Sequence, residues 1–166
     1  MLDALKDRVP EHAKDLRLNL GVIEASTALS PAQAWTIAVA CARASRQPEV
    51  IRAIEEAAGL TAEALAAARG AAAMMGMNNV YYRFAHYMGD GDYAKLPARL
   101  RMQLIGKPGI PQLDFELACL AVSAQNGCEA CVRSHEHAVR ERGGSPEIVQ
   151  DAVRIAAVIS GVAAAL

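Results

Sequence analysis

Helix starts and stops recur along this chain, and nowhere do apolar and polar residues alternate over the length of a half-buried strand. That pattern admits helices and little else. "SPAQ" at residues 30–33 supplies an N-cap serine, a proline at the first helical position and a capping-box glutamine. Pro48 opens a segment predicted to be helical through Glu56. Thr61, in "TAE", starts a long helix expected to pass Met75 and reach Met88, where "GDGD" breaks it. Pro97 is expected to begin a short helix that Gly106 ends, and "GKPGIP" then reads as a turn-rich connector. Leu113, Leu117, Leu120, Ala121 and Ala124 repeat at helical spacing until "NG" interrupts them. Ser145, in "SPE", caps the last helix, whose Ile148, Ala152, Ile155, Ile159 and Val162 form one stripe. The expected fold class is all-α.

Composition agrees. Hydrophobic residues make up 53% of the chain but aromatic residues only 4%. Alanine fills the difference, which favours close-packed helices over sheets. At 166 residues, and with no linker composition, one helical domain spanning 1–166 is expected. The net charge of −1 gives no electrostatic case for binding nucleic acid or an anionic membrane. The N-terminal segment lacks the apolar run of a signal peptide. The longest apolar run, residues 155–166, falls short of the roughly 20 residues that span a bilayer. A cytoplasmic location is therefore expected, where Cys41, Cys119, Cys128 and Cys131 would not form a structural disulfide framework.

A faint repeat runs through the chain. "TAEALAAARGAAAMMG" from Thr61 and "SPEIVQDAVRIAAVISG" from Ser145 share a capped start and a glycine at similar depth. The preceding segments "AVACARAS" and "AVSAQNGC" also correspond. Two explanations stand: a duplicated helical unit of which only the second copy gained the cysteine pair, or chance likeness among alanine-rich helices.

The chemistry concentrates in "NGCEACVRSHEHAVRERGG", residues 126–144. If a helix begins at Cys128, a turn of about 100° per residue puts Cys128, Cys131 and His135 within an arc of roughly 60°. Val132, Ala138 and Val139 lie on or beside that arc. Glu129, Arg133, Glu136, Arg140 and Glu141 take the other side, with i,i+4 ion-pair spacing. The thiols and the imidazole thus share the inward face. A cysteine at a helix N-terminus is favoured as thiolate. His135, one turn beyond Cys131, can lean back toward that sulfur and act as its base. Cysteines at i,i+3 stand close enough for a slightly strained, easily reduced disulfide, suited to cycling.

Rival readings are weaker. Zinc normally needs four ligands, and His137 projects about 160° away from His135. A thioredoxin-type pair would follow a strand, and none is visible. Two idle core cysteines would suit Cys41 and Cys119 but would leave His135 unexplained. Glu116, between Phe115 and Leu117, would have a raised pKa in apolar surroundings and could exchange protons with a histidine. The residues alone favour a plain polar strip of Gln112, Glu116 and Ser123. His12 and His86 read as surface residues, and "MMGM" at residues 74–77 reads as helix packing.

With these residues in place, the chain resembles the AhpD family of alkylhydroperoxidases, within the carboxymuconolactone decarboxylase superfamily. The likeness runs through "HAKDLRLNL", "MGMNNVYYR", "GKPGIPQLDFELACLAVSAQNGC", the Cys-x-x-Cys-x-x-x-His motif and "AAVISGVA". It covers nearly the whole chain. The resemblance implies an all-helical subunit assembled as a homotrimer, acting as an antioxidant thiol-dependent hydroperoxide reductase. It implies Cys131 as the nucleophile that becomes a sulfenic acid, and Cys128 as proton donor and resolving thiol, closing a Cys128–Cys131 redox disulfide. It implies His135 as base and Glu116 as relay carboxylate, against the residue-only reading of Glu116. It also implies electron transfer from a lipoyl group on a 2-oxo acid dehydrogenase transferase subunit to the peroxiredoxin AhpC. Dihydrolipoamide dehydrogenase would recharge the lipoyl group with NADH, and Cys131 would form the mixed disulfide with AhpC. No bound cofactor or metal is implied. Ala130 departs from members that carry a histidine between the cysteines, which removes one extra proton donor. Two other classes remain: a lactone decarboxylase of the same superfamily, and a zinc-holding or redox-sensing helical module.

Overall fold

Two helices of this protein are buried on every side, and the others are laid around them. The computed structural model describes residues 2–166, so Met1, the first residue of the expected 1–166 unit, lies outside the described residues. Among the described residues there are ten α-helices and no strand: α1 Asp3–Arg8, α2 Asp15–Asn19, α3 Val22–Ala25, α4 Pro31–Ser45, α5 Pro48–Ala57, α6 Ala62–Met88, α7 Gln103–Gly106, α8 Gln112–Gln125, α9 Glu129–Glu141 and α10 Pro146–Ala165. The fold is all-α, as the helix punctuation requires.

The caps of α4 and α6 work as the sequence indicates, whereas Ser145 stands at the N-cap of α10 without a side-chain cap hydrogen bond. Ser30 Oγ accepts the Gln33 N–H at 3.2 Å, and Gln33 Oε1 accepts the Ser30 N–H at 2.8 Å, closing the capping box of α4. Thr61 Oγ1 accepts the Ala64 N–H at 3.2 Å at the start of α6. The helix expected from Pro97 does not form. Its only helical turn is α7, and Arg99 sits at φ 52°, a left-handed conformation that a continuing helix excludes.

Residues 34–42 of α4 and 115–123 of α8 are buried without interruption. Such continuous burial demands apolar or small side chains all round, and alanine lets neighbouring helices come close. The surrounding helices repeat. Helices α4–α5–α6 are followed, in the same order, by α8–α9–α10. Helix α6 packs on α4, α8 and α9, while α10 packs on α8, α4 and α5, so exchanging the two units maps one set of contacts onto the other. The burial pattern repeats too: Val50 and Ile54 on α5 are matched by Cys131 and His135 on α9, and Ala67, Ala68, Ala71 and Met75 on α6 by Asp151, Ala152, Ile155 and Ile159 on α10. This two-unit arrangement favours duplication over chance. It also corrects the register of one segment. The buried run beginning at Ala34 matches the one beginning at Phe115, two residues away from the pairing of "AVACARAS" with "AVSAQNGC".

Helix α10 is long and apolar enough, on length and composition alone, to cross a membrane. Its stripe of Ala152, Ile155, Ala156, Ile159 and Val162 is instead buried against the protein's own core.

Candidate active site

The turn between α8 and α9 sets the cysteine pair. Gly127 adopts φ 68° just past the end of α8. Its N–H bonds the Ala124 carbonyl at 3.1 Å, and the Cys128 N–H bonds the Ser123 carbonyl at 3.0 Å. This pair of bonds is a Schellman closure, which needs a left-handed residue where glycine stands. It delivers Cys128 as the N-cap of α9, with Sγ accepting the Cys131 N–H at 3.3 Å. One short segment therefore ends a core helix, starts the next and places a sulfur at its positive end.

Cys128 and Cys131 are joined by a disulfide, with Cα atoms 5.3 Å apart. Both are buried, and His135 one turn on is only 9% exposed. The opposite face carries the charges: Arg133 Nε donates to Glu129 Oε1 at 2.9 Å, and Arg140 lies 3.9 Å from Glu136. His137 is exposed and pairs with Glu141 at 3.2 Å, away from the sulfurs. His86, at the far end of α6, pairs with Glu129 at 3.4 Å, and His12 is exposed.

The ring of His135 is held from two sides. Nδ1 lies 2.7 Å from Glu116 Oε2, and Nε2 lies 3.2 Å from Met75 Sδ. Gln112 Nε2 donates to Glu116 Oε1 at 2.9 Å and to the Ile105 carbonyl at 2.7 Å, fixing the carboxylate. A carboxylate only accepts, so the bond to Glu116 is made with the hydrogen on Nδ1. The expected reach from His135 to the Cys131 sulfur is not a hydrogen bond in this disulfide-bonded state.

Glu116 also departs from expectation. Burial on its own pushes its carboxyl up, but the hydrogen bonds from His135 and Gln112, helped by the charges of His135 and Arg142, hold it below its ordinary range. The raised pKa expected from apolar surroundings is therefore corrected to a lowered one. Burial pushes the thiols of Cys41 and Cys119 up, with the Glu116 charge adding to the effect at Cys119. Both sit in the core as poorly ionised thiols, distinct from the motif pair.

Cys131, His135 and Glu116 line a cavity of about 290 Å³, with Tyr82, Ile105 and Asn78 among the other residues of its wall. The structure thus gathers Cys131, Cys128, His135 and Glu116 in one place. Sequence reading missed three partners. Met75, set aside with "MMGM" as packing, is fully buried and places its sulfur on the imidazole. Gln112, seen only as part of a polar strip, orients Glu116. Asn78 lines the cavity. The signal at Asn78 and Asn79 was two adjacent amides in an alanine-rich helix, both of which are buried. Among the described residues, no three His, Cys, Asp or Glu side chains gather as a metal-holding group.

With no strand among the described residues, and a disulfide-bonded Cys-x-x-Cys pair at a helix N-terminus, fold and site define an all-helical dithiol–disulfide protein. The Carboxymuconolactone decarboxylase family model matches residues 91–166, which contain all of α8–α10. The chain is 54% identical over 167 residues to the alkyl hydroperoxide reductase AhpD of Rhodospirillum centenum, covering 99% of this chain and 90% of that protein. It is 56% identical to the AhpD of Gluconacetobacter diazotrophicus, covering 99% and 92%, and 52% identical to that of Solibacter usitatus, covering 99% and 94%. The chain belongs to the AhpD family of the carboxymuconolactone decarboxylase superfamily.

Proposed function

We propose that this protein is an antioxidant enzyme that reduces alkyl hydroperoxides through the Cys128–Cys131 dithiol. The observation that carries the reading is the placement of a disulfide-forming pair beside the buried His135–Glu116 couple, with Cys131 in the cavity wall. The names of its relatives, alkyl hydroperoxide reductases, support the substrate class.

In the reduced protein His135 takes the Cys131 proton. The thiolate attacks the terminal oxygen of the hydroperoxide, the O–O bond breaks, and Cys131 becomes a sulfenic acid. The departing alkoxide takes a proton from the Cys128 thiol and leaves as an alcohol. The Cys128 thiolate then attacks the Cys131 sulfur. The S–O bond breaks, the disulfide closes, and hydroxide takes the proton held on His135 to leave as water. Glu116 stabilises the doubly protonated ring while it holds that proton. An external dithiol restores both thiols and is itself oxidised to a disulfide. We assign that dithiol to a lipoyl group of a 2-oxo acid dehydrogenase transferase subunit, recharged by dihydrolipoamide dehydrogenase and NADH. The same Cys131 would pass electrons to the peroxiredoxin AhpC through a mixed disulfide. The cavity mixes polar groups with the apolar Met102, Ile105 and Ala138, which suit an alkyl tail or a lipoyl arm. A cytoplasmic homotrimer fits the same reading. Exposed Val80, Phe84, Tyr87 and Met88 at the end of α6, with Tyr93 and Leu96 beyond, form an apolar surface that a second copy would cover.

The test is NADH consumption in a mixture of lipoylated transferase, its dehydrogenase and this protein, with alkyl hydroperoxide, with and without AhpC. Oxidation that depends on this protein and stops in Cys131→Ser is expected. Turnover that survives Cys131→Ser would point to the lactone-decarboxylase class, and stoichiometric zinc without peroxide consumption to a zinc-holding module.

A further inference from the structure

Asn78 and Asn79 stand side by side on α6, both buried, at 5% and 2% exposure. Their side chains are treated differently. Asn79 is fully tied: Nδ2 donates to Ser123 Oγ at 2.9 Å, and Oδ1 accepts from Asn126 Nδ2 at 2.9 Å. Asn78 lines the cavity with Cys131 and His135, yet its buried Oδ1 has no hydrogen-bond partner. A buried carbonyl oxygen without a donor costs free energy, and folded proteins keep few of them. Packing does not explain the amide. At the matching place on α10 stands Val162, fully buried, so an apolar side chain serves the repeat's core there.

We infer that Asn78 is a substrate-binding residue whose amide oxygen accepts the O–H of an alkyl hydroperoxide and aims its terminal oxygen at Cys131 Sγ. The inference rests on the peroxidase reading above and names the recognition element of that same cavity. A hydroperoxide carries one hydrogen-bond donor, on the oxygen that the thiolate attacks. Oδ1 is buried as placed, and a half-turn of the amide, which exchanges its oxygen and nitrogen within the same volume, would turn the acceptor toward the cavity without repacking. The proton stays on the attacked oxygen and ends on the sulfenic acid, so Asn78 binds and orients and takes part in no proton transfer. At its reacting end a dithiol reductant offers only weak S–H donors, so reduction of the disulfide gains little from this contact.

That asymmetry supplies the experiment. Asn78→Val, which copies the matched position on α10, and Asn78→Ala are compared with the wild-type protein in two separate half-reactions. The first is oxidation of the reduced protein by cumene hydroperoxide, and the second is reduction of the disulfide by dihydrolipoamide. Thermal melting is followed alongside. Oxidation slower by about tenfold in both variants is expected, the size of one well-made hydrogen bond, with reduction within about twofold of wild type. Unchanged oxidation in the variants, beside an active wild type, would overturn the role of Asn78 and leave the peroxidase reading standing. Equal slowing of both half-reactions with a lowered melting point would also overturn it, as a structural effect. A wild-type protein whose reduced form leaves the hydroperoxide intact would overturn both.

Discussion

The imidazole of His135 sits in a line of side chains drawn from three helices: Gln112 and Glu116 of α8, His135 of α9 and Met75 of α6. Each has a separable consequence. His135→Phe is expected to slow reaction with hydroperoxide by about a hundredfold or more, the usual weight of a positioned acid–base group. An unchanged pH–rate profile in that variant would remove the histidine from the mechanism. Glu116 titrates below its ordinary value in the folded protein, so its charge and the stability it brings are fully present above the usual carboxylate range and fade as pH falls through the lowered value. Glu116→Gln should therefore make stability fall less steeply in acid than in the wild type, read by denaturant titration at stepped pH, while the share carried by Glu55 remains. Much of this line was legible, and the reason is local. Cys128, Cys131 and His135 lie on one helix, where spacing alone fixes their common face. Glu116 is 19 residues from His135 and Met75 is 60, so those contacts depend on how helices pack. Burial alone suggested a raised Glu116 pKa, but the partners that lower it come from elsewhere in the fold.

At the scale of elements, the α8–α9 turn does most to hold the sulfurs. Gly127→Ala would force a side chain into a left-handed backbone with nothing pressing on it, so the cost is conformational, about 1 kcal/mol. Chemical denaturation should show that loss. A wild-type midpoint would mean the turn tolerates a Cβ. The first unit has a left-handed residue at the matching place with the opposite choice. There the Gln47 N–H bonds Ser45 Oγ at 3.3 Å and does not complete the second bond of the closure. Arg46 holds φ 61° after α4, and its N–H bonds the Arg43 carbonyl at 3.2 Å, as Gly127 bonds Ala124. Arg46→Gly is expected to stabilise by about 1 kcal/mol, since it relieves the strain that Gly127 avoids. The two units also differ at the positions that form the site. Aligned by helix starts, Gln47, Val50, Ile54 and Trp35 stand where the second unit has Cys128, Cys131, His135 and Glu116. Val50, Ile54 and Trp35 are buried, so the second unit carries polar chemistry at places the first fills with core. The sequence echo revealed the unit but not its register, because alanine-rich segments align almost equally well at neighbouring offsets. The segment after Pro97 misled for a different reason: a helix-start residue cannot act when Arg99 turns left-handed two positions later.

Across the whole molecule, Glu55 of α5 ties together all three helices of the first unit. Hydrogen bonds from Arg69 and Arg43, at 2.6 to 3.0 Å, hold its carboxyl down to about 2. Its folded value lies below the unfolded one, so the stabilisation is complete above the ordinary carboxylate range and is lost as pH falls toward that value. Glu55→Gln should therefore cost most near neutrality, with the gap to wild type closing in acid. A gap independent of pH would show that charge is not its source. The polar ties Gln33–Asp114, at 2.7 Å, and Ser26–Asp151, at 2.6 Å, likewise join distant parts of the chain around the paired core helices. All of this framework serves to keep two sulfurs and an imidazole in one buried place. The most direct measurement is the intact mass of the fully reduced protein after one equivalent of alkyl hydroperoxide, followed by peptide mapping. Loss of two hydrogen atoms, with Cys128 and Cys131 linked and one equivalent of alcohol released, is the expected result. An unchanged mass, or oxygen gained on other residues while those two thiols stay free, would contradict the account.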